Sequence, residues 1–550
     1  MLTSNRLLVA IQYYFAASTA TPSPSPLAKT PDLGSFKGTT INTTLTGIAL
    51  PVPVHAWLGI DYATQPVGPQ GRFHRTRPIE PSNGTRDASR YGKVCVQEYP
   101  GLPDYAQDEA CLNMNVFRPV GLMGEDRLPV LIWIHGGSFV MGSARSFDGA
   151  AFVANSQAPV MVVTFNYRLS SLGFLPSPLF ERKNLLNLGL LDQRELLIFV
   201  QKYITHFGGD PDRVTLGGRS AGGHSVGIHY FHNYSSPYTT PKPLFAQAIM
   251  QSGSVTARGF PNASYPLYAR QYATYLSAVG CKDDNNTLSC LRNADIELIK
   301  HAGGQAYLDS EYAITWPFQP TLGGPLLETP GSKSGIDGSF YHIPVITTNV
   351  PDEAKLFTPG NLTTNEDFLA FISNQLPGLN STDMAAVETL YPDPLTDATS
   401  PYANSPNSTQ YNRISAACSD HMYICPGDET AFRTSLASVP TYKLRFATNN
   451  SFPAWQGIPH TADTKYTWAE PKTQYPDVGK VLLAYFASFV ATGDPNVLRE
   501  EGTAVWPVYE PGGGRELVVE REGTRVEGHV VRREQCAFWR DPERAGRLNR

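Results

Sequence analysis

The residues best suited to chemistry are a serine and its glycine neighbours, in the segment Gly218-Arg219-Ser220-Ala221-Gly222. Glycine two places before and after a serine lets a strand turn sharply into a helix, which leaves the serine hydroxyl exposed at the turn. The small residues that follow let a helix N-terminus approach, and its free amides attract a developing anion. The pattern predicts that Ser220 is a nucleophile. A pentapeptide is weak evidence alone, so its context has to supply a base and oxyanion donors.

A serine hydroxyl is a poor nucleophile near neutral pH, so Ser220 needs a general base, and the base needs an orienting carboxylate. In α/β-hydrolases the order along the chain is serine, acid, histidine, each on a loop after a strand of the sheet. Asp352 and Glu353 follow one predicted strand, and His460 follows the next on a turn rich in Gly and Pro. By order alone, either Asp352 or Glu353 is a candidate acid.

A second glycine-rich segment, His135-Gly136-Gly137, follows an earlier predicted strand. Backbone amides in such a loop, with the amide after the nucleophile, can bind the negative oxygen of a tetrahedral intermediate. The alternative is an ordinary turn between a strand and a helix, which the serine motif downstream makes less favoured.

The apolar pattern predicts the elements that position these residues. Continuous apolar runs at 130–134 and 160–165 indicate parallel strands that are buried on both faces. A helical pattern over 190–207 leads directly into a strand at 213–217, and repeated helix-to-strand order indicates a parallel sheet with right-handed crossovers. The other expected elements are an antiparallel edge at 51–62, strands at 245–250, 343–348 and 442–446, and a helix at 478–492. The fold class is therefore α/β, a mostly parallel twisted sheet flanked by helices.

Composition excludes several classes of partner. The 550 residues, 41% hydrophobic and 11% aromatic, are ample for a large core. A net charge of -5 and a pI near 6.2 give no basic surface for nucleic acid or anionic membrane. No apolar run approaches the roughly 20 residues that a membrane span needs, so no membrane anchor is expected.

The N-terminus has the features of an export signal. A mostly apolar run at 7–17 follows Arg6 and is followed by Ser18-Thr19-Ala20, which predicts a signal peptide over 1–20. A flexible leader over 21–45 and a single catalytic domain over 46–545 are expected after it. The alternative to a signal peptide and leader is a disordered N-terminal extension. Nine glycosylation sequons support export: Asn42, Asn83, Asn233, Asn262, Asn285, Asn361, Asn380, Asn407 and Asn449. Seven cysteines then indicate disulfides plus one remaining thiol.

From about Pro51 to Trp539 the chain resembles type B carboxylesterases of the cholinesterase and fungal lipase family. The matching segments are Gly59-Ile60-Asp61-Tyr62-Ala63, Glu109-Ala110-Cys111-Leu112-Asn113, Asn166-Tyr167-Arg168-Leu169, Gly189-Leu190-Leu191-Asp192-Gln193-Arg194, Phe207-Gly208-Gly209-Asp210-Pro211 and Gln251-Ser252-Gly253. The resemblance implies the α/β-hydrolase fold and a triad of Ser220, Glu353 and His460. It also implies oxyanion donors at Gly136, Gly137 and Ala221, and a hydrogen bond from Ser252 near the acid.

The resemblance selects Glu353 over Asp352, because the family's acid is the glutamate of an Asp-Glu-Gly turn. Ala354 stands here in place of that glycine. Family ion pairs fall at Arg72 with Glu109 and at Arg168 with Asp192. Family disulfides pair Cys95 with Cys111, Cys281 with Cys290 and Cys425 with Cys536, leaving Cys418 as the odd thiol, although a Cys418–Cys425 pair stays open.

Two departures from the family bear on the substrate. Arg219 stands where the family usually has Glu, and we hypothesise that it favours esters with a nearby carboxylate; the alternative is that a neighbouring acidic residue satisfies it. The loop between Cys95 and Cys111 is short and has no tryptophan. We hypothesise that it forms neither a lipase lid nor a choline site.

The sequence predicts a secreted serine carboxylesterase that acts on small-molecule esters through an acyl-enzyme and needs no cofactor or metal. A lipase acting on longer-chain esters is the first alternative. A cholinesterase-like adhesion protein without catalysis is the second, and it is disfavoured because all three triad residues are present. The oligomeric state stays open.

Overall fold

The computed structural model describes residues 25–122, 127–232, 240, 242–310, 316–449, 451–511, 514–528 and 532–550. The strands are β1 (Leu27–Lys29), β2 (Ser35–Lys37), β3 (Thr39–Thr43), β4 (Ala49–Asp61), β5 (Thr85–Asp87), β6 (Val94–Cys95), β7 (Gln107–Asp108), β8 (Asn113–Pro119), β9 (Leu128–Ile134), β10 (Met161–Phe165), β11 (Gly209–Arg219), β12 (Gln247–Gln251), β13 (Val345–Asn349), β14 (Thr441–Phe446), β15 (Arg515–Glu520) and β16 (Gly523–Gly528). The helices are α1 (Gly68–Gly71), α2 (Gly149–Asn155), α3 (Ser170–Phe174), α4 (Pro178–Arg182), α5 (Leu188–Tyr203), α6 (Ala221–Phe231), α7 (Pro266–Val279), α8 (Thr287–Asn293), α9 (Ile296–Leu308), α10 (Gly331–Asp337), α11 (Asn365–Gln375), α12 (Ser381–Leu390), α13 (Tyr411–Ser419), α14 (Cys425–Leu436), α15 (Pro476–Thr492), α16 (Arg533–Trp539) and α17 (Pro542–Arg547).

One large sheet organises the molecule. Within the described residues it has eleven strands in the order β3-β4-β8-β10-β9-β11-β12-β13-β14-β15-β16. Neighbouring strands from β10 to β15 run parallel. Antiparallel pairs complete both edges. The predicted mostly parallel sheet is confirmed, including the antiparallel edge that β4 provides.

Strand β9 shows why the apolar runs are continuous. Val130, Ile132 and Ile134 pack into one hydrophobic core, whereas Leu131 and Trp133 pack into a second. Side chains alternate across a strand, so each run of five apolar residues serves two cores on opposite faces of the sheet. Helix α5 packs in the first core and α15 in the second, which is the expected flanking of the sheet by helices.

The structure corrects two boundaries. Helix α5 ends at Tyr203, a tighter turn continues to Phe207, and Gly208 then takes a left-handed conformation with φ 89°. Strand β11 begins at Gly209 and not at Arg213, because Gly209 pairs with Leu128 before the register shifts.

The described part of the leader, which was expected to be flexible, forms strands. Strands β1, β2 and β3 lie between Leu27 and Thr43. Phe36 is buried, its ring centroid is 6.0 Å from that of Phe207, and its carbonyl oxygen accepts a 3.2 Å hydrogen bond from the Trp57 indole. The abundance of Pro, Ser and Thr in this stretch hides the buried side chains that anchor it, which are Ala28, Leu33 and Phe36. The predicted signal peptide over 1–20 lies outside the described residues.

The covalent and ionic pairs implied by the resemblance are present. The three disulfides join Cys95 to Cys111, Cys281 to Cys290 and Cys425 to Cys536. The alternative pairing of Cys418 with Cys425 is therefore wrong: Cys418 is a buried free thiol, and burial raises its pKa to about 12.

Two buried ion pairs are bidentate. Arg72 Nε and Nη2 lie 2.6 and 2.9 Å from the carboxylate oxygens of Glu109. Arg168 Nε and Nη2 lie 2.8 and 2.7 Å from those of Asp192. Both pairs fix loops that precede or follow strands of the large sheet.

Eight of the nine sequon asparagines have exposed side chains, as an acceptor of a glycan requires. Asn233 lies outside the described residues. Their glycosylation stays a prediction. Across the described part of the chain, no helix is both long and apolar enough to cross a membrane.

Candidate active site

The order of the strands brings the predicted site residues to one edge of the sheet. Strands β11, β12, β13 and β14 are consecutive parallel neighbours, so their carboxyl ends share an edge. Ser220 follows β11, Ser252 follows β12, Glu353 follows β13 and His460 follows β14. Sites in parallel α/β sheets form at this carboxyl edge, where loops from adjacent strands meet.

Ser220 occupies a strained turn between β11 and α6. Its backbone has φ 58° and ψ -126°, and α6 begins at the next residue. A Cβ on Gly218 would lie 2.6 Å from the carbonyl carbon of Gly222, and a Cβ on Gly222 would collide with the Ile134 carbonyl oxygen. Both glycines are therefore required by close backbone approach. The Ser220 amide donates a 2.9 Å hydrogen bond to the Gln251 carbonyl, which ties the turn to β12.

Glu353 and His460 form a buried pair. Glu353 Oε2 lies 2.5 Å from His460 Nδ1, and their side chains are 0% and 3% exposed. The other carboxylate oxygen accepts hydrogen bonds from the Ser252 hydroxyl at 2.8 Å and from the Val350 amide at 2.9 Å. Because an ionised carboxylate only accepts hydrogen bonds, His460 Nδ1 carries the proton and Nε2 is left as the basic nitrogen.

The neighbouring Asp352 has a different task. Its carboxylate accepts a 3.0 Å hydrogen bond from the Ile458 amide, and its own amide donates to the Ile458 carbonyl at 3.2 Å. Gly457 has φ 61°, and a Cβ there would collide with that carboxylate. Asp352 thus holds the loop that carries His460 and does not contact the imidazole. Ala354 has no positive φ, so replacing the family's glycine leaves this turn unstrained.

The hydroxyl of Ser220 and the imidazole of His460 form no hydrogen bond. His460 Nε2 is buried and has no hydrogen-bond partner among the described residues. Ser220 is 6% exposed and lies at the same edge of the sheet. In substrate-free enzymes such hydrogen bonds are often long and tighten when substrate binds.

Arg219 lies among acidic side chains. Burial lowers the pKa of Arg219, and the carboxylates of Asp463 and Glu353 oppose that shift. Burial raises the pKa of Asp463, and Arg219 opposes it in turn. Asp463 also accepts a 2.7 Å hydrogen bond from the Gln251 amide group. Asp463 is an acidic neighbour of Arg219, but Arg219 Nη1 and Asp463 Oδ1 are both buried without a hydrogen-bond partner among the described residues, so both interpretations of Arg219 stay predictions.

The His135-Gly136-Gly137 loop lies against the serine turn. A Cβ on Gly136 would be 3.0 Å from the Ser220 Cβ and 2.7 Å from the Arg219 carbonyl oxygen. Gly137 has φ 109°, a conformation that favours glycine. In the described hydrogen bonds, the amides of Gly136, Gly137 and Ala221 donate to no protein group. These three amides are therefore available to an external oxygen.

His135 supports the loop. Its ring stacks on Tyr167 with centroids 4.4 Å apart, and its Nδ1 lies 2.8 Å from the Gly136 carbonyl oxygen. Burial lowers the pKa of His135 to about 4, so the ring is neutral at neutral pH.

Sequence reasoning missed two aromatic neighbours of His460. The ring of Tyr423 lies 4.6 Å from the imidazole centroid, and that of Phe357 lies 5.6 Å away. Tyr423 comes from a wide helical turn, Asp420–Ile424, between α13 and α14. Neither residue belongs to a recognisable motif, although Phe357 follows Glu353 by four positions. No group of three or more described His, Cys, Asp or Glu side chains is arranged to hold a metal ion.

A parallel sheet, a strained serine turn and a carboxylate–histidine pair on successive strand ends define an α/β-hydrolase. The chain matches the model of the carboxylesterase family over residues 24–539, and it belongs to that family. It is by class a carboxylic-ester hydrolase.

Individual proteins agree with this assignment. The chain is 55% identical to secreted lipase 4 of Gibberella zeae over 530 residues, which cover 95% of each chain. It is 29% identical to acetylcholinesterase of Bungarus fasciatus over 558 residues, covering 92% of this chain and 86% of that one. The crystal structure of EstA from Aspergillus niger matches with a TM-score of 0.79 and 25% identity, covering 95% of this chain and 99% of that one.

Proposed function

We propose that this chain is a secreted carboxylic-ester hydrolase that works through an acyl-enzyme, with Ser220, His460 and Glu353 as its triad. The observation that carries the proposal is the 2.5 Å contact between Glu353 and His460 at the sheet edge where the strained turn presents Ser220. That pairing fixes the tautomer in which Nε2 of His460 can take a proton from a hydroxyl.

In the first half of the reaction, Ser220 Oγ attacks the ester carbonyl carbon and His460 Nε2 accepts the hydroxyl proton. The imidazolium that forms is stabilised by the Glu353 carboxylate, which Ser252 and the Val350 amide hold in place. The alcohol then leaves with the proton from His460, and the acyl group stays on Ser220.

The negative oxygen of the tetrahedral intermediate binds to the amides of Gly136, Gly137 and Ala221. These amides make no other hydrogen bond to described groups, and the first two lie on a loop held against the serine turn. Loss of one such donor typically costs about 2.7–4 kcal/mol of transition-state stabilisation. Water activated by His460 then hydrolyses the acyl-enzyme, and the chemistry calls for no cofactor or metal.

The proposal includes export and one catalytic domain. Secretion is supported by the apolar N-terminal run and by similarity to a protein named a secreted lipase. We propose that residues 1–20 are removed as a signal peptide and that the described residues, with strand β3 of the large sheet among them, act as one catalytic domain. Mass spectrometry of the protein recovered from the culture medium tests the cleavage after Ala20.

A lipase is the second candidate, because the relative that is 55% identical is named a lipase. The loop 96–110 argues against a lipase, because it carries strand β7 and no helix within its described residues. We propose that this loop forms neither a lid nor a choline site. A lipase shows a sharp rise in rate when a triglyceride emulsion forms, whereas an esterase on dissolved substrates shows none.

The test is hydrolysis of p-nitrophenyl esters from acetate to palmitate by the exported protein and by Ser220→Ala. Activity that is highest on short chains and absent from Ser220→Ala supports the esterase. A maximum at long chains supports the lipase. No hydrolysis by folded wild-type protein contradicts both and favours an adhesion or binding role.

A further inference from the structure

A cavity of about 430 Å³ lies near the carboxyl edge of the sheet, outside the groups assigned to the reaction. Its lining includes Arg258, Trp316, Gln319, Gln375 and His421. Arg258 lies on the loop between β12 and α7, and Gln375 is the last residue of α11. Cavities of this size accept small molecules.

The walls of this cavity carry hydrogen-bond donors that have no acceptor. All three guanidinium nitrogens of Arg258 are buried without a hydrogen-bond partner, and so are Trp316 Nε1 and Gln375 Nε2. One acceptor, Gln319 Oε1, is also unpaired. An excess of unsatisfied donors, one of them charged, matches a ligand that carries acceptor oxygens and negative charge.

Arg258 is a buried cation without a counter-ion. Its side chain is 5% exposed, and no described carboxylate lies within ion-pairing distance of it. The guanidinium carbon lies 3.8 Å from the centroid of the Trp316 ring, which is a cation–π contact. A stacked ring offsets only part of the cost of removing a charge from water. The fold gains little from this arrangement, so a ligand is the better explanation for it.

Two aromatic routes connect Arg258 to His460. Tyr423 packs against the imidazole, and Arg258 opposes the rise in the Tyr423 pKa that burial causes, which places the phenol beside the guanidinium. Trp316, under the guanidinium, is 6.3 Å from Phe357, which also packs against His460. Arg258 is therefore one or two side chains away from the reacting groups.

Arg219 is less suited than Arg258 to bind a negatively charged ligand. Asp463 and Glu353 lie close enough to oppose the lowering of its pKa by burial, so an incoming carboxylate would meet two like charges there. The charge of Arg258 instead lowers the pKa of groups that are neutral at neutral pH, which are His224, His421, Tyr268 and Tyr423.

We propose that Arg258 and its cavity bind a free carboxylate of the ester substrate, which makes half-esters of dicarboxylic acids the preferred substrate class. The choice of an ester as substrate rests on the proposed function, whereas binding of a carboxylate at Arg258 does not. The guanidinium nitrogens are occluded as they stand, and no described carboxylate pairs with them. Binding therefore moves the side chain off Trp316 into the cavity, where two N–H groups can face the two carboxylate oxygens.

Binding is tested first without turnover. The Ser220→Ala protein is titrated by calorimetry with dicarboxylates from succinate to suberate and with the matching neutral diamides. We expect a dicarboxylate to bind and its diamide to bind at least tenfold more weakly. In the Ser220→Ala protein, the additional change Arg258→Met should weaken dicarboxylate binding about 10- to 100-fold, which is the range for loss of a charge-assisted hydrogen bond. Arg258→Lys should recover part of the affinity.

Arg547→Gln is the matched control. Arg547 lines the same cavity and carries the same charge, but its guanidinium is paired with the Asp383 carboxylate. Its replacement should change dicarboxylate affinity less than threefold. Equal affinity for dicarboxylate and diamide, no binding of either, or unchanged affinity after Arg258→Met overturns the proposal.

Turnover separates the two proposals. Monoethyl half-esters of the same acids are compared with the ethyl esters of the matching monoamides, and kcat/KM is measured by proton release. We expect the half-ester to be favoured at one chain length, and Arg258→Met to reduce that preference at least tenfold. If neither ester is hydrolysed, the proposed function fails and calorimetry still decides the carboxylate site. If both are hydrolysed with a preference that Arg258→Met leaves unchanged, the proposed function stands and the carboxylate site is wrong.

Discussion

Replacing Glu353 with glutamine changes one atom and inverts the hydrogen bonding of the proposed base. In the wild type, one carboxylate oxygen accepts from Ser252 and the Val350 amide, and the other faces His460 Nδ1. The amide oxygen of a glutamine has to take the position that accepts two donors. Its NH₂ group then faces His460 Nδ1 and donates to it.

The imidazole responds by moving its proton to Nε2, the nitrogen that has to accept the proton of Ser220. In serine proteases, loss of the correct tautomer of the catalytic histidine lowers kcat about 10⁴-fold, which is roughly 5.5 kcal/mol. We expect a loss of similar size in Glu353→Gln, with little change in stability because the shape is conserved. The assay is kcat for a short-chain p-nitrophenyl ester, together with thermal unfolding of both proteins.

Asp352→Asn is the matched control, because it removes one charge from the adjacent residue. Asp352 contacts the Ile458 backbone and not the imidazole. Its replacement should therefore lower kcat, measured per folded enzyme, by less than tenfold. A Glu353→Gln enzyme within tenfold of wild type, or an Asp352→Asn enzyme that is equally impaired, refutes the assignment of the acid.

Three further predictions concern stability and are measured by urea unfolding. Arg168→Met should cost about 3–5 kcal/mol, because it leaves Asp192 buried and unpaired, whereas replacing both residues with apolar ones should cost less. Removing the Cys425–Cys536 disulfide, with a sequence separation of 111, should cost about 5 kcal/mol, against about 2.5 kcal/mol for Cys281–Cys290, with a separation of 9. Burial lowers the pKa of His229 to about 3, so the unfolded chain binds more protons below its ordinary pKa of 6.5. Stability should therefore be full above pH 6.5 and fall as the pH drops toward 3, with a shallower fall in His229→Gln.

Much of the fold and the main site could be predicted from the sequence, because close packing limits which residues fit. Gly218 and Gly222 are where no Cβ can be accommodated, and the apolar runs mark strands that serve two cores. These constraints are local, so they leave a pattern along the chain. Order along the chain then placed Ser220, either Asp352 or Glu353, and His460 on loops that follow strands of one sheet, and the family resemblance selected Glu353.

Other features depend on distant parts of the chain and left no local pattern. Phe36 anchors the first strands through Phe207, about 170 positions away, so composition alone indicated a flexible leader. The cavity around Arg258 joins the loop after β12, Trp316 and the end of α11. Such a site is visible only after the chain has folded, which is why the sequence directed attention to Arg219 and not to Arg258.

Covalent labelling tests directly whether Ser220 is the nucleophile. The protein is treated with a dialkyl fluorophosphate, and the adduct is located by mass spectrometry while residual esterase activity is followed. We expect one adduct per chain, on Ser220, with activity lost in proportion to labelling and no adduct on Ser220→Ala. Esterase activity that survives full labelling of Ser220, or an adduct on another residue that accounts for the loss, contradicts the assignment of Ser220 as the nucleophile.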